Sequence, residues 1–370
     1  MKKTVLIFTF LFMGALFCGL TAQPSGGSAG PSPEKDENMI REYTNFLKAH
    51  PLHVKSYIGR GQVKRRLKDY IGAIADFRRA LELDPDNVIA LYSRGAVLCQ
   101  VGKFEQAEKD LVEAVKIDTA DSDLWMALGV ARSGFGDFRG AEKAYTKVVT
   151  IAPENPFGYV MRADVRFKMH NDSGAAGDYS KTIQLSPEDY LSYSARAEVR
   201  FSMGDYPGSL SDCRSTIALK PGDPVIFELK GRIFFMTDQL DSAGEAFTQA
   251  ISLQEDFARA WAWRGHVYSM QGKDTAAVSD FNRAIKLDSR DFRAYYGRGA
   301  IKYKRHDLKG AVEDFSLSID INPENAQSYL MRGVARLNSD DKAGCKDVER
   351  AVELGYTNVP EDIRKFCNMK

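Results

Sequence analysis

An arginine-glycine pair recurs as Arg60-Gly61, Arg94-Gly95, Arg264-Gly265, Arg298-Gly299 and Arg332-Gly333, always at 34 residues or a multiple of 34. Small residues hold the same grid between them at Gly129, Ala163, Ala197 and Gly231. A frame that never slips over so many copies excludes a fold built round one globular core, in which loop lengths vary. It demands one small unit repeated, each copy packing on its neighbours.

Two further rows run on this grid. Twelve positions after the first small residue stands another, as in Ala73, Ala107 and Ala141, and four beyond that a bulky one, as in Phe77, Leu111, Tyr145, Tyr179, Phe247, Phe281 and Phe315, with Cys213 in the fifth copy. In the copy 54–87, apolar and small residues spaced by three, four and seven predict two amphipathic helices, roughly 54–67 and 71–83. The turn between them holds Asp69, or Gly-Lys and Gly-Asp at 102–103, 136–137 and 204–205, residues that end one helix and cap the next. Gly61 facing Ala73 lets two backbones approach, and Phe77 fills the space beside them. One such pair cannot bury its own apolar face, so the pairs must stack.

Pro85, Pro153, Pro187, Pro221 and Pro323 then close their copies. These spaced small, bulky and terminal proline positions resemble the tetratricopeptide repeat family. The resemblance implies an all-α fold, a right-handed superhelical solenoid of tandem helix-turn-helix repeats. Eight repeats occupy 54–87, 88–121, 122–155, 156–189, 190–223, 224–257, 258–291 and 292–325, with a divergent ninth at 326–358. An N-terminal capping helix at 38–53 and a C-terminal one at 359–370 would close the ends, because terminal units need a polar outer face.

Internal repeats allow a covariation test within one molecule. Arg60, Arg94, Arg162, Arg196, Arg264 and Arg298 are followed sixteen residues later by Asp76, Asp110, Asp178, Asp212, Asp280 and Asp314. The two copies that lack the arginine also lack the aspartate: Leu128 goes with Ala144, and Lys230 with Ala246. Each arginine is therefore expected to meet the aspartate of its own repeat in a partly buried, charge-assisted pair, with Arg332 and Asp347 doing the same in the ninth. A pair copied this often is architectural rather than catalytic.

The first 22 residues bear on compartment. Lys2-Lys3, an apolar stretch over 5–20 and Thr21-Ala22 read as a secretory signal, followed by a Pro/Gly/Ser-rich leader at 23–37. The apolar run is short for a membrane span, so none is expected in the mature chain, and the alternative reading is a lipoprotein signal with Cys18 lipidated. Export to the periplasm or cell envelope, or secretion, makes a disulfide between Cys345 and Cys367 the expectation, against four reduced thiols as the alternative. Asp118-Thr119-Ala120, Asp241-Ser242-Ala243 and Asp274-Thr275-Ala276 resemble O-glycosylation sites of some exported bacterial proteins and equally resemble helix caps.

Chemistry is scarce. The segment 26–30 has the spacing of a serine-hydrolase elbow but no strand before it or helix after it. His50 and His53 flank Pro51, the other histidines are scattered, and there is no phosphate loop or paired-cysteine zinc motif. No enzyme, cofactor or metal is expected, and the net charge of +1 leaves no nucleic-acid footprint.

What remains is surface. In the family this chain resembles, first-helix positions 2, 5, 9, 12 and 13 line an inner groove. Position 12 carries Phe167, Phe201 and Phe235 in three consecutive repeats and Tyr303 later; nearby stand Phe157, Val160, Leu191, Val225, Met236, Met270 and Tyr296. Such a run suits the apolar side chains of a bound peptide or helix, the alternative being that the rings pack between neighbouring first helices. Asp164, Glu198 and Glu228 make the middle of this row acidic, followed by Arg232, His266 and Arg293, so a partner segment with basic residues beside apolar anchors is expected to fit the middle best. The Lys and Asn of chaperone-type carboxylate clamps are replaced by Ile58/Gln62, Tyr92/Ala96 and Met126/Val130. The expectation is a scaffold that captures another protein in its groove. The alternatives are an envelope subunit bound through its convex face, or an accessory protein holding a non-protein ligand.

Overall fold

A computed structural model describes residues 33–369, so the signal segment, Cys18 and most of the leader lie outside the described residues. Those described form twenty helices and no strand. They fall into two compact units, divided after Ser192.

The first unit opens with α1 (Pro33–Ala49) and continues through α2 (Val54–Arg66), α3 (Tyr70–Leu83), α4 (Val88–Gln100), α5 (Phe104–Ile117), α6 (Ser122–Gly134), α7 (Phe138–Ile151), α8 (Pro156–Lys168) and α9 (Asp172–Leu185). The helix α10 (Tyr190–Ser202) carries the division. The second unit holds α11 (Tyr206–Leu219), α12 (Pro224–Met236), α13 (Leu240–Leu253), α14 (Ala258–Met270), α15 (Asp274–Leu287), α16 (Phe292–Lys304), α17 (Leu308–Ile321), α18 (Ala326–Leu337), α19 (Gly344–Glu353) and α20 (Glu361–Phe366). In the repeat 54–87 the two helices start and stop within a residue of the sequence expectation, whereas the capping helices differ: α1 spans Pro33–Ala49 rather than 38–53, and α20 spans Glu361–Phe366 within 359–370. Asp36 explains the early start of α1: its buried carboxylate accepts from Arg66 Nη2 at 2.6 Å and Nε at 3.2 Å, which anchors an extra turn.

In the eight full repeats each turn between the paired helices uses one device. The residue before the second helix's cap takes a left-handed φ, as glycine in Gly102 (75°) and Gly136 (91°) and as a longer residue in Lys68 (62°), His170 (61°) and His306 (61°). Two of the scattered histidines are thus turn residues. Asp69, Asp137, Asp205 and Asp307 then cap the second helix, accepting from the amide three residues on at 2.9–3.0 Å. That amide belongs to a glycine in each case, because a Cβ there would overlap the capping carboxylate.

The small row and the bulky row meet inside each repeat. A Cβ on Gly61 would stand 2.7 Å from Phe77 Cε1, and one on Gly231 2.6 Å from Phe247 Cε1. Where the grid carries Ala197 instead, the bulky position shrinks to the fully buried Cys213, which leaves room for the added methyl.

The ninth repeat closes more tightly than the others. A Cβ on Gly333 would lie 2.8 Å from the Gly344 carbonyl oxygen, so α18 and α19 meet backbone to backbone. Beyond them the Sγ atoms of Cys345 and Cys367 lie at bonding distance, 2.06 Å, and tie α20 to the ninth repeat, while Cys99 and Cys213 are buried free thiols. Val359, Ile363 and Met369 pack on Leu330 and Val348 beneath this link. With a sequence separation of 22 residues the loop-entropy model values the link at about 3 kcal/mol. Cys345→Ser is therefore expected to raise amide exchange through the last two helices; unchanged protection there would show that the link constrains nothing.

Candidate functional site

The arginine-aspartate pairs are bidentate. Arg60 Nε and Nη2 reach Asp76 Oδ2 and Oδ1 at 2.9 and 2.6 Å, and the same two bonds, 2.6–3.0 Å long, join Arg94 to Asp110, Arg162 to Asp178, Arg196 to Asp212, Arg264 to Asp280 and Arg298 to Asp314. Arg332 reaches Asp347 likewise, at 2.9 and 2.6 Å. The aspartates are buried. Charge-assisted forks of this kind offset the cost of burying them.

Sequence reasoning missed how far these groups extend. The remaining nitrogen, Nη1, donates sixteen residues back, at 2.7–3.2 Å, from Arg60 to Thr44 on the capping helix α1 and to the preceding repeat from Arg264 to Thr248, Arg298 to Asn282 and Arg332 to Ser316. One guanidinium thus joins two repeats. A second cation, four residues after the first, also holds several of the aspartates: Lys64 on Asp76, Arg166 on Asp178, Arg200 on Asp212, Lys302 on Asp314 and Arg336 on Asp347, at 2.7–2.9 Å. The hydroxyl or amide residue at the backward offset was readable in the sequence as a further repeat position.

On the first-helix inner positions of the first unit, Phe157 and Leu191 are 45% and 37% exposed, whereas Val160, Asp164 and Phe167 are half-buried. The buried Tyr179 hydroxyl donates to the Asp164 carboxylate. Burial dominates and pushes the Asp164 carboxyl up to about 7, although the Tyr179 hydrogen bond and nearby Lys168 pull it down. Folded chain therefore keeps this proton far above the ordinary 3.8, and the stability that goes with it is present below that value and lost as pH rises towards 7. Asp164→Asn, which still accepts from Tyr179, is expected to raise the urea midpoint at pH 7.5 and leave it unchanged at pH 4; equal shifts at both would refute the assignment.

In the second unit the acidic positions are answered internally. Glu228 is 1% exposed and lies against Arg259 Nε at 3.1 Å and Arg232 Nη1 at 3.7 Å. Burial pushes its carboxyl up, and the arginines pull it back. Arg232 Nη1 also reaches Glu198 at 3.2 Å. Its guanidinium covers the Phe201 ring at 4.4 Å, so Phe201 is packing rather than an open contact. Phe235 is likewise occupied, edge-on to Trp263 at 5.4 Å.

Behind these, His266 stacks edge-on to Phe281 at 4.9 Å, and burial, aided by Arg293, lowers its pKa to about 4. Tyr296 leans on Phe315 at 5.8 Å, and the Tyr303 hydroxyl accepts from Asn338 at 2.6 Å. The side chains left open are Val225, Met236 and Met270, 48%, 52% and 55% exposed. Position 12 is therefore largely spent on packing between neighbouring first helices, and the open apolar atoms stand beside it.

Of the three motifs resembling modification sites, Thr119 stands exposed in a loop, Asp241 accepts from Gln271 at 2.9 Å, and Asp274 pairs with Lys304 at 2.9 Å. Among the described residues no three His, Cys, Asp or Glu side chains are grouped to hold a metal, and no helix is long and apolar enough to cross a membrane.

Comparison with known families matches residues 61–102 to the TPR repeat, and 122–155, 229–291 and 271–326 to the tetratricopeptide repeat. The chain is a tetratricopeptide repeat protein. Among solved structures it is similar to the APC/C hetero-tetramer Cut9-Hcn1, at 18% identity and TM-score 0.52, covering 88% of this chain and 62% of that one. It is also similar to yeast Tom70, at 16% identity and TM-score 0.51, covering 92% and 72%. A tetratricopeptide repeat protein from Parabacteroides merdae matches at 18% identity and TM-score 0.52, covering 72% and 98%. At these identities the likeness is one of fold. No curated protein matches the chain. Tetratricopeptide arrays are typically non-enzymatic scaffolds, and this fold is consistent with contact between proteins.

Proposed function

We propose that this chain is a non-enzymatic scaffold that holds a peptide segment or helix of another protein against the inner positions of its first helices, after export to the cell envelope. The observation that carries this reading is the exposure of large apolar side chains at those positions. Val225 and Met236 lie eleven residues apart on α12, three turns and hence one side of the helix, and Met270 repeats the Met236 position in the next copy. In the first unit Phe157 and Leu191 offer the same kind of surface. Unbranched methionines adapt to differently shaped partners, and open apolar atoms beside a packed aromatic row supply the anchors such a contact needs.

Electrostatics steer this contact less than the acidic residue count implies. Glu198 and Glu228 are matched by Arg232 and Arg259, so a partner need not be basic. Export is supported by the basic, apolar and small-residue succession of the first 22 residues, and by a cysteine pair at disulfide distance.

In-cell crosslinking and recovery of the chain, beside a Val225→Ser/Met236→Gln/Met270→Gln variant and an Ile71→Gln control, tests the reading. Ile71 is 85% exposed at the start of α3, away from the inner positions. A partner recovered with the wild type and the control but lost from the triple variant is the expected result. A partner kept by all three would overturn it.

A further inference from the structure

One member of the arginine row lacks two of its companions. In six repeats the guanidinium lies over an aromatic ring three residues earlier: Arg60 over Tyr57, Arg162 over Tyr159, Arg196 over Tyr193, Arg264 over Trp261, Arg298 over Tyr295 and Arg332 over Tyr329, at 4.7–5.8 Å. Arg94 makes the same fork to Asp110, yet the residue three before it is Leu91. Sixteen residues before Arg94, where other copies place a hydroxyl or amide acceptor, stands a second cation, the exposed Arg78. Arg94 Nη1 accordingly makes no hydrogen bond among the described residues.

The two departures coincide with an open cleft of about 300 Å³ lined by Arg78, Leu81, Glu82, Pro85, Leu91 and Arg94. A second, of about 600 Å³, adjoins it across Leu91 and Arg94. Glu82 does not neutralise Arg78, since it accepts from Arg79 at 2.9 Å. The cleft thus has an apolar floor, one guanidinium face without its ring and one guanidinium fork without its anion.

We propose that this cleft receives an aromatic side chain followed by an acidic one from a partner protein. The ring takes the place beneath Arg94 that the chain's own tyrosines fill elsewhere, and the carboxylate takes the fork of Arg78. The site lies between repeats on the second-helix side, apart from the inner first-helix positions, and is independent of the contact proposed there.

The test is a titration of the full chain, with leucine methyls labelled for NMR, by the peptide acetyl-Gly-Tyr-Asp-Gly-amide and by its Tyr→Ala and Asp→Asn versions. Saturable shifts at Leu81 and Leu91 are expected with the first peptide, at least tenfold weaker binding with either of the others, and tenfold weaker binding by Arg78→Thr. Leu91→Tyr fills the cleft with the chain's own ring and is expected to abolish binding, read at Leu81, while unchanged circular dichroism reports its fold. Shifts that are absent, equal for all three peptides, or unaltered by Arg78→Thr would overturn the proposal; so would binding retained by a folded Leu91→Tyr variant.

Discussion

Asp178→Ala is expected to destabilise the first unit by about 3–5 kcal/mol, because it strands the Arg162 guanidinium and takes from Arg166 one of its two carboxylates. Asp178 is 5% exposed and takes Arg162 at 2.9 and 2.7 Å and Arg166 at 2.9 Å. Without it, Arg162 keeps its burial and loses its anion, while Arg166 is left with Glu142 alone, at 2.7 Å. The cost lies in that residual charge more than in the pair itself, so Arg162→Met/Asp178→Leu, which leaves Arg166 on Glu142, should recover most of the loss. Because repeats unfold with their neighbours rather than as one block, urea unfolding should be paired with amide exchange over α8 and α9. A loss below about 1 kcal/mol would mean that water reaches the guanidiniums and that the staple is a surface pair.

The second large effect is expected at Phe281. Its fully buried ring lies between the first helix of its own repeat and that of the next: a Cβ on Gly265 would stand 2.8 Å from Cε1, and one on Gly297 would overlap Cζ. The ring therefore sets the spacing of two repeats. Phe281→Ala should cost about 3–5 kcal/mol through the cavity it opens. Gly297→Ala alone should cost about 1–3 kcal/mol by overpacking. Together the effects should not add, because the new methyl enters the space the ring has left. A double-mutant cycle showing additivity would exclude the shared contact.

The inner face divides into what could and could not be read from residues alone. Phe235 and Met236 are adjacent and equally apolar, but Phe235 is spent on Trp263 and Met236 is open; the choice rests on where the next repeat's first helix sits. Glu228 reads as an acid of the inner row, but it is buried, and Arg259, at an offset of 31 rather than 34, reaches back to it. Asp164 was legible as an acid but not as one answered by a tyrosine of its own repeat, since only one copy carries that pair.

The strict period of 34, the small-bulky alternation and the covarying Arg-Asp positions were determined by the sequence itself. Each is a local rule repeated many times, and repetition separates it from chance. Which apolar side chains stay open, which charges are cancelled and where a cleft is left depend on contacts between neighbouring copies at offsets that occur once or twice. Only the tertiary structure, by bringing Arg259 to Glu228 and opening a cleft beside Leu91 and Arg94, decided them.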